Sequence, residues 1–406
     1  MSTETLDSQE LMPPPPGRSH RAPGALSRRL RGDLGQIPVV LALVIIAVYF
    51  QIATSGNFLR ARNLTEMIQE IITIGTLALG SVLVLLVREI DLSLGSVSGL
   101  GAGAMVVLSY GHGWPWPVAI LAGLCVGALA GAINGFFISV VRVPAFIVTL
   151  AALIGYQGLL LHIMLPTTTL PIRDPKLLAI ATTYVPAYVG IGLPVIGVVV
   201  YAFTLMRERA RRQQSDLPII SPAELGLRIG VIGVMTIGAA LLFQSYRGVP
   251  LTALLLIGLI LLFYLVMRRT AFGLHVYAVG GNPEAARRAG VDIVRLRIIV
   301  FTLASTLAAL GGIFQASRQL SATSAIDPTL VLNAIAAPVI GGVSLFGGRG
   351  SVWAVILGSL IVGSLLNGLA LTGQGTDVEQ MVEGGVLLVA VIADALVRRR
   401  SATGAR

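Results

Sequence analysis

Residues 268–297 read RRTAFGLHVYAVGGNPEAARRAGVDIVRLR, a charged stretch set between two apolar runs that are each long enough to cross a membrane. Within it, Gly280 and Gly281 break the chain. Asn282 can then cap a new helix, and Pro283 suits the first position of that helix. The pattern predicts a short helix that starts directly after the two glycines.

The charges of this stretch fit the same helix. Glu284 falls at the positive end of the helix dipole, and Arg287 and Arg288 fall at the negative end. Glu284 and Arg288 are four residues apart and can pair. Gly290 suits the left-handed position that follows a helix. Two interpretations remain open: a docking surface for a soluble partner, or a surface helix that only links two spans.

Composition places the rest of the chain in a membrane. Of its 406 residues, 55% are hydrophobic and 12% are charged, with a mean hydropathy of +0.86, whereas a soluble domain carries about 25% charged residues. The net charge of +10 does not indicate nucleic-acid binding, because the basic residues cluster at the ends of apolar runs. The single cysteine, Cys125, permits no disulfide within the chain.

We expect an all-α, polytopic bundle of about 10–12 membrane segments, some of them broken or re-entrant. The segment 330–346 is the least regular, because it is short and contains Pro338. The apolar runs lie near 36–54, 67–87, 92–110, 116–141, 144–165, 186–206, 227–243, 249–267, 294–316, 330–346, 351–373 and 378–397.

Basic residues predict the orientation of these runs. When the N-terminus is placed inside, all but six of the 29 Lys and Arg residues fall on the cytoplasmic side, which puts both termini in the cytoplasm. The six exceptions are Arg60, Arg62, Arg173, Lys176, Arg247 and Arg318. Residues 1–35, rich in proline and arginine, predict a disordered basic tail before a transmembrane domain that spans 36–398.

Catalytic signatures are missing. The only lysine, Lys176, is followed by leucine, so no nucleotide-binding P-loop is present. The four histidines are scattered and do not predict a metal site, and there is no GxSxG motif. We therefore expect no enzyme activity, no metal and no cofactor on this chain, and a role either in moving a solute across the bilayer or in sensing one.

Several polar residues fall at or near membrane depth. Glu89 and Asp91 lie between two spans, where Asp91 or Ser93 could cap the next helix, as in the broken helices of transporters. A tight turn with a salt-bridged Arg88 is the alternative. Asn134 directly precedes the last glycine of a GxxxGxxxG face formed by glycines 127, 131 and 135, which predicts close helix packing. The candidate pathway residues are Glu89, Asp91, Ser93, Asn134, Gln157, Asn333 and Asn367, with hydrogen-bonding between helices as the alternative for the amides.

Four stretches identify a resemblance: EIDLSLGS at 89–96, YRGVP at 246–250, RTAFG and YAVGGNPEAARRAGV within 269–291, and AIAAPVIGGVSLFGGRGSV at 334–352. The chain resembles the permease subunits of bacterial ABC importers for simple sugars, in the ribose and xylose group. It departs from them at Asn333, where relatives often carry an acid, at Pro338, and at 321–332, which matches poorly.

This resemblance implies a multi-pass protein of the bacterial inner membrane that moves a monosaccharide, such as xylose, by alternating access. It implies a homodimer, a separate ATPase subunit that holds ATP and magnesium, and a periplasmic sugar-binding protein. Residues 268–297 would form a coupling loop that docks on the ATPase. Its contact residues would be Gly280, Gly281, Asn282, Pro283, Glu284, Ala285, Ala286, Arg287, Arg288 and Gly290. The alternative is a permease of the same fold for a branched-chain amino acid, an autoinducer sugar or a nucleoside.

Overall fold

Long apolar runs fold as helices here, because in a bilayer the backbone must satisfy its own hydrogen bonds. The computed structural model describes residues 37–215, 217–219 and 221–403, without the side chains of 37 and 396–403. The predicted basic tail, 1–35, lies outside these residues. The first helices are α1 (Ile37–Ala53), α2 (Ala61–Leu86), α3 (Leu94–Val106), α4 (Trp116–Ser139), α5 (Ala145–Met164), α6 (Pro175–Thr182), α7 (Ala187–Gln214) and α8 (Pro222–Gln244).

The other elements are a π-helical turn, two short strands and the helices of the second half. The π-helical turn, Val107–Gly111, extends α3, and the strands are β1 (Thr169–Pro171) and β2 (Ser321–Thr323). The remaining helices are α9 (Leu251–Arg269), α10 (Ala271–Gly281), α11 (Pro283–Arg288), α12 (Ile293–Gln319), α13 (Thr329–Ile340), α14 (Ala354–Leu371) and α15 (Thr376–Thr403).

The expected all-α polytopic architecture is confirmed. Within the described residues, nine helices are long and apolar enough to cross a membrane. The apolar helices α1 and α13 are shorter. With 12 residues, α13 extends only ~18 Å, well short of the ~30 Å hydrocarbon core. It contains Pro338, so the least regular predicted span is indeed an incomplete one.

The centre of the bundle is α12, which packs against α2, α3 and α4. Its contact with α4 is close because glycines leave room for the backbone. A Cβ at Gly127 would lie 2.5 Å from Ala309 Cβ, and one at Gly135 would lie 2.8 Å from Ile298 Cα. The GxxxGxxxG face therefore packs as its spacing predicts.

Two parts of the fold differ from the sequence expectation. The stretch 268–297 was expected to be a loop with one helix, but residues 271–281 form α10 as well, held by the fully buried Val276 and Val279. At the opposite end of the bundle, β1 pairs with β2 in an antiparallel ribbon, with Thr169 opposite Thr323. That pairing joins two loops that are distant in sequence.

Candidate functional site

The stretch 268–297, the expected coupling loop, contains the predicted capped helix. Asn282 Oδ1 accepts a hydrogen bond from the backbone N–H of Ala285 at 3.1 Å, and Pro283 occupies the first turn of α11. Gly290 follows the helix with a left-handed φ of +86°, and its N–H donates to the Arg287 carbonyl at 3.0 Å. The caps therefore form as their residue types predict.

The side chains of α11 divide into two faces. Ala286 is 4% exposed and anchors the helix, while Glu284, Arg287 and Arg288 are exposed at the surface. The expected pair between Glu284 and Arg288 does not form: no ion pair joins them in the described part of the chain. The exposed face carries one carboxylate and two guanidinium groups. This pattern favours a partner surface with the complementary arrangement of charges.

The turn between α2 and α3 approaches this loop. The tight turn of the alternative interpretation does form, because the Arg88 N–H donates to the Leu85 carbonyl at 2.9 Å. The salt bridge of Arg88 does not form among the described residues. Arg88 Nε donates to the Gly280 carbonyl at 2.6 Å, and its Nη2 donates to the Gly281 carbonyl. The neighbouring Glu89 forms the ion pair instead, because its Oε1 lies 2.7 Å from Arg297 Nη2. Burial raises the pKa of Glu89, and the charge of Arg297 opposes that shift.

Just beyond this turn lies a buried polar cluster. Asp91 is 2% exposed, and its Oδ1 accepts from the Ser93 N–H at 2.9 Å and from Ser93 Oγ at 2.6 Å. Asn134 Nδ2 donates to Ser93 Oγ at 2.9 Å, and the Tyr156 hydroxyl lies 3.0 Å from Asn134 Oδ1. Three predicted pathway residues therefore meet, joined by a tyrosine that the sequence analysis missed.

The details of this cluster correct the predicted cap. Ser93 occupies the N-cap position of α3, but its side chain makes no capping hydrogen bond, because its hydroxyl binds Asp91. Asp91 Oδ2 has no hydrogen-bond partner among the described residues. Burial raises the pKa of Asp91 to about 6, and the hydrogen bonds from Ser93 act against that shift.

A small cavity of about 40 Å³ with a mixed polar and apolar lining lies between α3, α12, α13 and strand β2, at the end of the bundle opposite residues 280–290. Such a volume holds one or two water molecules. Gln157 lies beside it, because its Nε2 donates to the Ser324 carbonyl at 2.6 Å. The polar lining residues are Ser98, Gln315, Gln319, Ser321, Thr323 and Asp327.

None of these lining residues was a predicted pathway residue, although Ser321, Thr323 and Asp327 fall within 321–332, the stretch that matches the resembled permeases poorly. For Gln315 and Gln319 the only available signal was their spacing of four residues on α12. The two last candidates lie elsewhere. Asn333 Nδ2 donates to Glu383 Oε1 at 2.7 Å, and Asn367 Oδ1 accepts from Asn63 Nδ2 at 2.7 Å. The predicted pathway residues therefore fall into separate clusters rather than into one site.

A helical bundle with incomplete spans, buried polar clusters and a capped loop at one end defines an integral membrane protein of the transporter class. Residues 63–391 match the family described as "Branched-chain amino acid transport system / permease component". The chain belongs to this permease family and is a multi-pass protein of the bacterial inner membrane. Within the described residues, no group of His, Cys, Asp and Glu could hold a metal ion.

Curated relatives are similar over most of their length. The chain is 35% identical to the xylose transport system permease protein of Haemophilus influenzae, covering 88% of this chain and 95% of that protein. It is 37% identical to the Escherichia coli K12 xylose transport system permease protein, covering 89% of this chain and 92% of that protein. It is 31% identical to the ribose import permease protein of Escherichia coli K12, covering 88% of this chain and 93% of that protein. No solved structure matches the chain.

Proposed function

We propose that this permease imports a monosaccharide, most specifically a pentose such as xylose, as the membrane subunit of an ATP-driven ABC importer. One observation carries the proposal: two permeases named for xylose transport are 35% and 37% identical over nearly the whole chain. Relatives named for ribose and fructose import are less similar, at 31% and 29% identity. The alternative is another small solute, such as a branched-chain amino acid, an autoinducer sugar or a nucleoside.

The energy would come from a separate ATPase subunit with its own ATP and magnesium, docked on the coupling loop. The exposed charges of Glu284, Arg287 and Arg288, and the firm capping of α11, support this assignment. A rigid, charged helix at the end of a bundle loses little conformational entropy on docking. The docking set is Gly280, Gly281, Asn282, Pro283, Glu284, Ala285, Ala286, Arg287, Arg288 and Gly290.

The solute would pass between the cavity and the buried cluster around Asp91, both of which border α3. This route places Glu89, Asp91, Ser93, Asn134 and Gln157 along the path and Asn333 and Asn367 at its margins. A sugar presents hydroxyl groups, and the amides, hydroxyls and carboxylate beside α3 match them as donors and acceptors. A periplasmic binding protein would deliver the sugar at the cavity end of a permease homodimer.

Uptake into proteoliposomes tests the proposed function. The purified chain, its ATPase partner and a xylose-loaded binding protein are reconstituted, and accumulation of radiolabelled xylose is followed with and without ATP. We expect ATP-dependent uptake, which excess unlabelled xylose abolishes and excess leucine or adenosine does not affect. Uptake without ATP would contradict an ABC importer, and inhibition by leucine or adenosine would favour the alternative substrates.

A substitution at Gln157 tests the route. Gln157→Leu removes the hydrogen bond to the Ser324 carbonyl beside the cavity, and we expect the rate of xylose uptake to fall severalfold with the complex still assembled. The matched control is Thr236→Val on α8, whose hydroxyl donates only to the Ile232 carbonyl of its own helix. Equal uptake by the two variants would assign Gln157 to packing.

A further inference from the structure

Three backbone segments meet at the end of the bundle that carries the coupling loop. They are the turn after α2 (86–93), the end of α10 (280–281) and the glycine-rich loop 341–353. The Gly348 N–H donates to the Leu86 carbonyl at 3.0 Å. A Cβ at Gly280 would overlap that same carbonyl oxygen and lie 2.5 Å from the Gly348 nitrogen. The packing is so close that one segment cannot move far without displacing the others.

Arg88 is the side chain that ties the first two segments together. Its guanidinium donates to the carbonyls of Gly280 and Gly281, the last residues of α10, where the negative end of the helix dipole favours a positive charge. Arg88 holds a left-handed backbone conformation, with φ of +67°. A Cβ at Gly347 would overlap the Arg88 side chain, so the glycine-rich loop encloses it from the other side.

The turn that contains Arg88 continues into the rest of the bundle. Glu89 forms an ion pair with Arg297, in the first turns of α12. Asp91 accepts hydrogen bonds from Ser93, at the start of α3. Both α3 and α12 line the cavity at the opposite end. A continuous set of contacts therefore runs from the end of α10 to the two helices that border the cavity.

We propose that Arg88 is a positioning residue that transmits movement of the coupling loop to α3 and α12. The inference rests on the proposed function, because it takes the coupling loop as the place where an ATPase acts. It assigns to Arg88 a role separate from docking: Arg88 holds α10 to the turn, so that displacement of the loop also displaces the two cavity helices.

The test compares substitutions that keep or remove the guanidinium contacts. Arg88→Met retains the length of the side chain without its donors, and Arg88→Lys retains the charge but reaches fewer carbonyls. Arg88→Gly removes the side chain and suits the left-handed backbone. The matched control is Arg142→Met, at an exposed arginine that also has a left-handed backbone, with φ of +65°.

The readout is the number of ATP molecules hydrolysed per sugar taken up, together with the amount of ATPase that co-purifies. For Arg88→Met and Arg88→Gly we expect wild-type co-purification of the ATPase and a severalfold rise in the number of ATP molecules hydrolysed per sugar. Arg88→Lys should give an intermediate ratio, and Arg142→Met the wild-type ratio.

A wild-type ratio in Arg88→Met and Arg88→Gly would overturn the inference. Loss of the co-purified ATPase would also overturn it, because Arg88 would then be a docking contact. If Arg88→Met does not fold, the number of ATP molecules hydrolysed per sugar in Arg88→Gly and Arg88→Lys tests the inference in its place. Failure of the proposed function is distinguishable, because the wild-type chain itself would then show no ATP-driven sugar uptake.

Discussion

Asp91 is a carboxylate enclosed by protein, with one oxygen bonded to Ser93 and the other without a partner among the described residues. Burial raises its pKa from 3.8 to about 6. The folded state therefore holds its proton more tightly than the unfolded state. The charged form weakens the fold at pH values above about 6, and this penalty disappears as the pH falls from 6 towards 4.

Asp91→Asn removes the charge and keeps an acceptor for Ser93. We expect it to raise the thermal midpoint of the detergent-purified protein at pH 8, by roughly 1 °C for each kcal/mol recovered in a chain of 406 residues, and to change it much less at pH 5. The control is Asp292→Asn, at the exposed cap of α12, where asparagine also serves. An equal effect of Asp91→Asn at both pH values would argue against a buried charge.

Single residues were predictable where their role is local. The caps of α11 follow from residue types within a few positions of one another, and Asn282 and Gly290 form them as expected. Contacts across the bundle were not predictable. Tyr156 reaches Asn134 from a different helix, and Asn333 on α13 donates a hydrogen bond to Glu383 on α15. Such pairs depend on how the helices pack, which no local pattern records.

At the scale of secondary-structure elements, the end of α10 is packed closely against the turn after α2. Gly280→Ala would place a methyl group onto the Leu86 carbonyl oxygen. We expect a loss of at least about 1–3 kcal/mol of stability, measured as a lower thermal midpoint and a lower yield of monodisperse protein.

The neighbouring glycine provides the control for that change. A Cβ at Gly281 would meet nothing within 4 Å. The stability of Gly281→Ala should therefore lie within about 0.5 kcal/mol of that of the wild type. Equal destabilisation by the two substitutions would show that the close contact between α10 and the turn after α2 does not control stability.

The exposed charges of α11 give a second prediction at this scale. Glu284→Arg replaces the single negative charge of that surface with a positive one. We expect at least a tenfold loss of affinity for the ATPase, which is typical when like charges face each other at an interface. Membrane insertion should be unchanged. Affinity measured on detergent-purified subunits checks this, with Glu208→Arg at the end of α7 as the exposed control. Normal association of Glu284→Arg would remove α11 from the docking surface.

Apolar length was sufficient to predict the helices that are long enough to cross a membrane, because such a span must be both long and apolar. The incomplete α13 was recognisable from Pro338 and its short apolar run. The ribbon of β1 and β2 was not recognisable. Its strands have three residues each and pair two loops that are far apart in sequence, so neither strand carries a periodic signal of its own.

At the scale of the whole molecule, the two ends of the bundle are joined through α3 and α12. The proposed coupling loop and Arg88 lie at one end, and the cavity and the ribbon lie at the other. Alternating access requires that a change at one end alters the other, and packed helices with two arrangements can provide this. The family was predictable from motifs, whereas the route for the solute was not, because its polar residues come from several helices.

The stimulation of ATP hydrolysis by a loaded binding protein tests the central claim most directly. The chain and its ATPase are reconstituted in proteoliposomes, and hydrolysis is measured with binding protein that carries xylose, ribose or no sugar. We predict severalfold stimulation by the xylose-loaded protein, less by the ribose-loaded protein, and least without sugar. A rate of hydrolysis indifferent to every sugar-loaded binding protein would contradict the account.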